Sequence, residues 1–169
     1  GAAMAERVRN TGRAVVAFMG DGATSEPDVH CAMTFAGVSK APAIFVCQSN
    51  GWAITSPTNV QFAAPPVARA EGYGMPGVRV DGNDILAVYA VMKEAHARAV
   101  SGGGPTFVEA VTYRMTAHST SDDPTRYRDE NEVEAWRKKD PIGRFRRWLD
   151  GKKLWSDVQE AGLQKEILD

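Results

Sequence analysis

Arg13-Ala14-Val15-Val16-Ala17-Phe18-Met19-Gly20-Asp21-Gly22 is an apolar run stopped by a glycine turn. A continuous run of that length, closed by turn residues, predicts a strand buried on both faces. Ser25-Glu26-Pro27-Asp28 follows and predicts a helix to about Val38. Ser25 is the expected N-cap, and Pro27 and the two acids suit the first turn.

The pattern then repeats. Pro42 to Gln48 is a second apolar run, closed by Ser49-Asn50-Gly51. Val78-Arg79-Val80 predicts a short strand ended by Asp81-Gly82-Asn83, and residues 84–101 predict a long helix. Gly102-Gly103-Gly104 breaks it, and Pro105 to Tyr113 predicts a fourth strand. A polar, proline-rich stretch covers 55–66, with a short helix expected over 66–72. Residues 2–9 predict a helix, and 130–139, 141–149 and 156–169 predict a helical C-terminal extension. Strand–helix alternation with short connections implies a single α/β domain over 1–169, a parallel sheet with helices on both faces.

Such sheets bind ligands beyond the carboxyl ends of their strands. Gly20-Asp21-Gly22, Ser49-Asn50-Gly51 and the loop 114–129 all fall at such ends. The loop is rich in Ser, Thr, Asp, Arg and His and almost lacks large aliphatic residues. It is expected to be mobile and to order on a ligand or partner.

Composition excludes several function classes. Twenty Lys and Arg against 21 Asp and Glu leave a net charge of −1, which offers no footprint for nucleic acid. No apolar run reaches the roughly 18 residues of a membrane span, and the first nine residues contain no signal-peptide core. Cys31 and Cys47 read as reduced thiols of a cytoplasmic protein. Helical pattern at both ends suggests a piece of a longer chain with exposed apolar faces.

Charge decides what the first turn holds. Its glycines permit close backbone approach, and the helix start behind it offers amides to a phosphate. Asp21 puts a negative charge in the same place and would repel a bare diphosphate. A divalent cation between them removes the conflict, since Mg²⁺ combines one or two carboxylates with substrate phosphates. Asn50 supplies a neutral, hard oxygen, and the Trp52 carbonyl lies in reach. Neighbouring strands sit about 5 Å apart, so Asp21 and Asn50 can share one ion if their strands are adjacent. A nicotinamide dinucleotide site needs a third glycine where Ser25 stands, and an acid at the end of the next strand. Gln48-Ser49-Asn50 provides none. Singly, Gly-Asp-Gly and Asn-Gly are ordinary turn formers. It is the pair, each after a buried strand and 27 residues apart, that points to metal and diphosphate.

Gly20-Asp21-Gly22, the 27 intervening residues and Asn50 resemble the thiamin diphosphate fingerprint. Phe18 to Glu26 and Ser49 to Ile54 resemble the α subunit of 2-oxo acid dehydrogenase E1 components. Tyr113 to Asp123 resembles that family's active-site loop, and His118-Ser119-Thr120-Ser121-Asp122-Asp123 is closest to the branched-chain type. The resemblance spans nearly the whole chain.

It implies a thiamin diphosphate-binding fold and specific roles. Asp21, Asn50 and the Trp52 carbonyl would bind Mg²⁺. Gly20, Gly22 and Ala23 would line the diphosphate. His118 would face the cofactor's reactive carbon and assist acyl transfer to a lipoyl arm. Arg114 would meet the diphosphate or order the loop, which Ser119 and Asp122 would also hold. The reaction would be decarboxylation of a branched-chain 2-oxo acid and acyl transfer to lipoamide, with pyruvate as the second substrate choice. The expected partners are an E1 β subunit, which carries the glutamate that activates the cofactor, and an E2 lipoyl domain. The assembly would be an α2β2 heterotetramer in a bacterial cytoplasm. Departures from the family are Ser49 before Asn50, Trp52 for a frequent tyrosine, and Gln48 where human-type branched-chain enzymes carry arginine. Two other readings stand beside this one, a transketolase-like enzyme and a non-catalytic assembly fragment; the His118 loop speaks against the first.

Overall fold

A computed structural model describes residues 1–168. Helix α1 (Ala2–Val8) precedes strand β1 (Val15–Gly20), a 3₁₀ turn (Gly22–Ser25) and helix α2 (Pro27–Val38). Strand β2 (Ala43–Ser49) leads into a small hairpin, β3 (Trp52–Ala53) and β4 (Ser56–Pro57), and one turn of helix α3 (Thr58–Gln61). Two 3₁₀ turns (Pro66–Arg69 and Glu71–Tyr73) stand where a single short helix is predicted. Strand β5 (Gly77–Asp81), helix α4 (Ile85–Val100) and strand β6 (Thr106–Val111) complete the sheet region. Beyond the 114–129 loop come α5 (Glu130–Arg137), α6 (Pro141–Gly151) and α7 (Asp157–Leu168).

The four long strands form one parallel sheet in the order β1-β2-β6-β5. The strands of Asp21 and Asn50 are therefore neighbours, with Gly20 paired to Gln48. Helices cover both faces, as the alternation predicts. On one face Met33 and Ala36 of α2 pack with Phe45, Cys47 and Phe107 of the sheet. On the other, Ala95 and Ala99 of α4 pack with Ile44, Val46, Val80 and Val108. β2 and β6 lie inside the sheet and are buried almost throughout. That is why they read as unbroken apolar runs.

β1 differs because it is an edge strand. Val15, Ala17 and Met19 face the α2 layer, while Val16 and Phe18 are exposed, Phe18 at 68%. Phe35 and Val38 of α2 are exposed as well. Apolar surface of this kind marks an association face more often than a free one.

The start of α2 corrects one expectation. Ser25 is not its N-cap. The 3₁₀ turn intervenes, capped by Asp21, whose side chain accepts from the Gly22 amide. Glu26 occupies the N-cap of α2 and makes no side-chain capping bond, with Pro27 following in the first turn. Ser25 thus ends the 3₁₀ turn that Asp21 caps instead of starting α2.

Candidate active site at the carboxyl edge of the sheet

Parallel strands bring all their carboxyl ends to one edge, and the three polar segments meet there. Asp21 follows β1, Asn50 follows β2, and Arg114 follows β6 by three residues. Backbone bonds tie the last two ends together: the Thr112 amide donates to Ser49 O at 2.9 Å and the Arg114 amide to Asn50 O at 3.1 Å.

Asp21 is 1% exposed, a carboxylate inside the protein. Its Oδ1 accepts from the Gly22 amide at 3.1 Å, while Oδ2 is buried with no hydrogen-bond partner. Burial pushes this carboxyl above the usual range, opposed by the amides of Gly22 and Gly51 and by the charge of Arg114. Thr24 secures the turn from beneath, its hydroxyl donating to Asp21 O at 2.7 Å. The Arg69 guanidinium donates to Thr24 O and lies 5.1 Å over the Phe62 ring. Gly22 has no room for a side chain, since a Cβ there would stand 2.8 Å from the Ala53 Cβ.

Asn50 Oδ1 accepts from the Trp52 amide at 3.0 Å, which fixes the amide side chain across the following turn. Gly51 makes that turn at φ +90°, a conformation that favours glycine. Trp52 faces Pro57 across the hairpin, and the flanking bond runs from the Thr58 amide to Gly51 O at 3.1 Å. Because Gly51 and Thr58 are bonded, Trp52 and Pro57 form the non-hydrogen-bonded pair beside them, and the Trp52 carbonyl points away from the partner strand. At the hairpin turn Ile54 has φ +55°, unusual for a β-branched residue. Its carbonyl accepts from Arg114 Nη2 at 2.5 Å.

Arg114 joins the strand ends to the loop. Besides Ile54 O, its Nη2 donates to the Tyr127 hydroxyl at 2.9 Å and lies 4.0 Å from Asp122 Oδ2. Its Nε is buried and unpartnered. Beside the Tyr113 hydroxyl, which is also buried without a partner, the edge holds an orphaned acceptor, Asp21 Oδ2, and an orphaned donor, Arg114 Nε, which do not pair with each other. A cation with a bound phosphate is the chemistry that satisfies both, the cation meeting the carboxylate and the phosphate meeting the guanidinium. Among the described residues no three His, Cys, Asp or Glu side chains gather into a metal cluster. A single carboxylate with amide and carbonyl oxygens suits an ion whose remaining ligands come from a phosphate group.

The loop 114–129 is laced by its own polar groups. Asp122 Oδ2 accepts from the His118 amide at 2.8 Å and from the Tyr127 hydroxyl at 2.5 Å. Arg128 donates to the carbonyls of Arg114 at 2.5 Å and Met115 at 2.9 Å. Its guanidinium lies 5.9 Å over the Tyr113 ring, which stacks on Trp136 at 5.4 Å. Trp52, Tyr113 and Val133 form the small core under the loop. The His118 side chain is exposed, and Ser119 Oγ is 3.3 Å from Ser121 Oγ. Tyr127, Arg128, Thr24 and Arg69 are the contributors that sequence reading missed. Only the Tyr127-Arg128 pair just before a helix start offered any signal.

The Tyr127 hydroxyl, and after it the His118 amide, hold the Asp122 carboxyl below its ordinary value of 3.8. A depressed carboxylate stabilises the folded loop at every pH above its unfolded value, and this is lost as pH falls through the folded one. Tyr127→Phe removes the largest cause and is expected to move the acid loss of loop order upward, toward 3.8. Exchange of the His118 amide measured against pH checks this; an unchanged midpoint contradicts it.

Comparison with known proteins places this geometry in a family. The family described as "Dehydrogenase E1 component" matches residues 1–169. The 3-methyl-2-oxobutanoate dehydrogenase subunit alpha of Mycobacterium tuberculosis is 57% identical over 161 residues, 95% of this chain and 44% of that protein. The mitochondrial 2-oxoisovalerate dehydrogenase subunit alpha of Homo sapiens is 45% identical over 168 residues, 98% of this chain and 38% of that protein. The chain spans less than half the length of these relatives. Among solved structures, a transketolase from Pichia stipitis matches with a TM-score of 0.54 and 25% identity, over 64% of this chain and 18% of its own. A transketolase from Campylobacter jejuni matches with a TM-score of 0.57 and 20% identity, over 65% and 18%, a likeness of fold alone. A buried Asp-Gly turn beside Asn50 on a parallel sheet, with sequence similarity along its whole length, shows that the chain belongs to the dehydrogenase E1 component family.

Proposed function

We propose that the chain is the metal- and diphosphate-holding part of the α subunit of a thiamin diphosphate-dependent branched-chain 2-oxo acid dehydrogenase. The observation that carries this reading is the buried Asp21 carboxylate, with one unsatisfied oxygen at the junction of three strand ends. In this reading Asp21, Asn50 Oδ1 and the Trp52 carbonyl hold Mg²⁺. Gly20, Gly22 and Ala23 let the diphosphate approach the backbone. Thiamin diphosphate, when bound, supplies the nucleophilic carbon and electron sink that allow a 2-oxo acid to lose CO₂.

The chain's own residues hold and orient. Arg114 Nε meets the diphosphate, while Arg114 Nη2 keeps its bonds to Ile54 O and the Tyr127 hydroxyl. Asp122 fixes the backbone at His118, so the imidazole stands at a set place on the edge. There it holds or moves a proton as the acyl group passes to a lipoyl arm. Ser119, next to it, helps keep the loop's shape, and the loop orders fully when the cofactor is in place.

Branched-chain substrates are favoured over pyruvate because relatives carrying the names 3-methyl-2-oxobutanoate and 2-oxoisovalerate dehydrogenase match almost the entire chain. A β subunit in an α2β2 assembly and an E2 lipoyl domain complete the working enzyme. The exposed Val16 and Phe18 of β1 suit such association. Among the described residues no helix is long and apolar enough to cross a membrane, and we place the enzyme in a bacterial cytoplasm. The assembly-fragment reading differs in leaving Asp21 without a ligand.

Substrate choice is tested with the full-length subunit and its β partner. Turnover of 3-methyl-2-oxobutanoate is expected to exceed that of pyruvate by about tenfold or more in kcat/KM, the scale set by burying added methyl groups. Equal or inverted preference contradicts the branched-chain assignment.

A further inference from the structure

A cavity of about 670 Å³ opens at the far side of the same edge, between β5, the end of β6 and helices α5 and α6. Arg79, Lys138, Lys139, Arg144 and Arg147 line it, and Asp81 is the one acid in its wall. β5 is separated from β1 by β2 and β6. Three strand spacings, about 15 Å, therefore part it from the Asp21 turn.

Two of the five cations are already neutralised. Arg79 Nε lies 3.4 Å from Glu109 Oε1, a carboxylate only 1% exposed. Arg144 bridges Asp81 at 2.5 Å and Asp84 at 3.0 Å. Asp81 is thereby consumed. Lys138, Lys139 and Arg147 pair with no carboxylate among the described residues. Lys139 is instead laid over the Trp136 ring, Nζ 4.5 Å from its centroid. Arg147 is held toward α5 by a 3.4 Å bond to Lys138 O. A chain of net charge −1 thus concentrates three unneutralised cations around one concavity. Clefts of that kind focus the field and raise the local concentration of anions.

We infer that this cavity binds a small phosphorylated anion, held by Lys138, Lys139 and Arg147, at a site separate from the strand-end turn of Asp21. The volume falls in the range of small-molecule sites. Arg147 brings a planar donor fork that suits phosphate, and the two lysines bring point charges. Trp136 forms part of the wall and stacks on Tyr113, the residue before Arg114. A ligand here accordingly touches the aromatic stack on which the 114–129 loop rests, which makes loop order the property it would alter.

The test uses the full-length subunit in its assembly, with fructose 1,6-bisphosphate and inorganic phosphate as probes in calorimetric titration. The bisphosphate is expected to bind saturably and more tightly than phosphate. Lys139→Gln with Arg147→Gln is expected to weaken it about tenfold or more, and Asp21→Asn is expected to leave it unchanged. All three residues are exposed, and far-UV circular dichroism of the double variant verifies its fold. No saturable binding of either probe overturns the inference. So does equal binding by the double variant, or loss on Asp21→Asn. Capture of a poly-glutamate peptide with neither phosphate probe bound also overturns it, making the cavity a protein-docking face.

Discussion

Asp21→Asn in the full-length subunit is expected to leave the cofactor-free protein as stable as the parent or about 1–2 kcal/mol more stable, while abolishing the stabilisation that Mg²⁺ and thiamin diphosphate confer. The first half follows from burial. Asp21 is enclosed, and one of its oxygens has no donor. An unpaired buried charge costs more than the neutral amide that replaces it. Asn keeps an oxygen for the Gly22 amide, so the turn retains its cap. The second half follows from what the charge is for. At a ligand concentration 100 times Kd, the parent gains about 2.7 kcal/mol on loading. The variant, lacking the anionic ligand of the ion, is expected to gain almost none. Thermal unfolding with and without Mg²⁺ and cofactor measures both. A variant that is clearly destabilised, yet keeps the gain on loading, would show Asp21 to be structural.

His118→Ala is expected to spare cofactor binding and to slow acylation of a lipoyl domain by about 10²-fold or more, the scale of a general acid or base removed. The separation is physical. The loop is anchored at this point through the His118 backbone amide and Asp122, not through the imidazole. Truncating the exposed side chain leaves that bond, the Arg114 contacts and the Arg128 clamp in place. Single-turnover acylation beside a cofactor titration distinguishes the two effects. Unchanged acylation removes His118 from the reaction. Lost cofactor binding makes it part of the binding apparatus.

The fold was legible because its sheet is parallel and its inner strands are covered on both sides. Ile44, Val46 and Cys47 of β2, and Phe107 and Val108 of β6, are buried whichever face they point to, so burial dictates unbroken apolar runs. β1 reads the same way, although half of it is exposed. Val16 and Phe18 look like core residues because they are core-type residues with no cover in this chain. The hairpin β3–β4 and the helical turn α3 could not be read, since two-residue strands containing Ser56 and Pro57 carry no periodicity. Ser25 was misplaced because the chain first closes a separate 3₁₀ turn capped by Asp21, so α2 begins only after Glu26, and local pattern does not mark that extra turn.

The site divides in the same way. Asp21 and Asn50 could be found because each ends an apolar run, and strand adjacency then brings them together. The supporting contacts could not. Arg69 reaches Thr24 across 45 residues, and the Glu109 carboxylate holds the Val67 amide at 3.0 Å across 42. Nothing in a linear reading marks a surface-type Arg or a mid-strand Glu for those partners. Tyr127 and Arg128 likewise gain meaning only once β6 and α5 bring them over Arg114.

In the proposed function the carboxyl ends of β1 and β2 hold a cation and a diphosphate together. The most direct test is a calorimetric titration of thiamin diphosphate into the full-length αβ assembly, with and without Mg²⁺, for the parent and for Asp21→Asn. The expected result is saturable binding by the parent only when Mg²⁺ is present, and none by the variant in either condition. Equal binding without Mg²⁺, or by the variant, would contradict it.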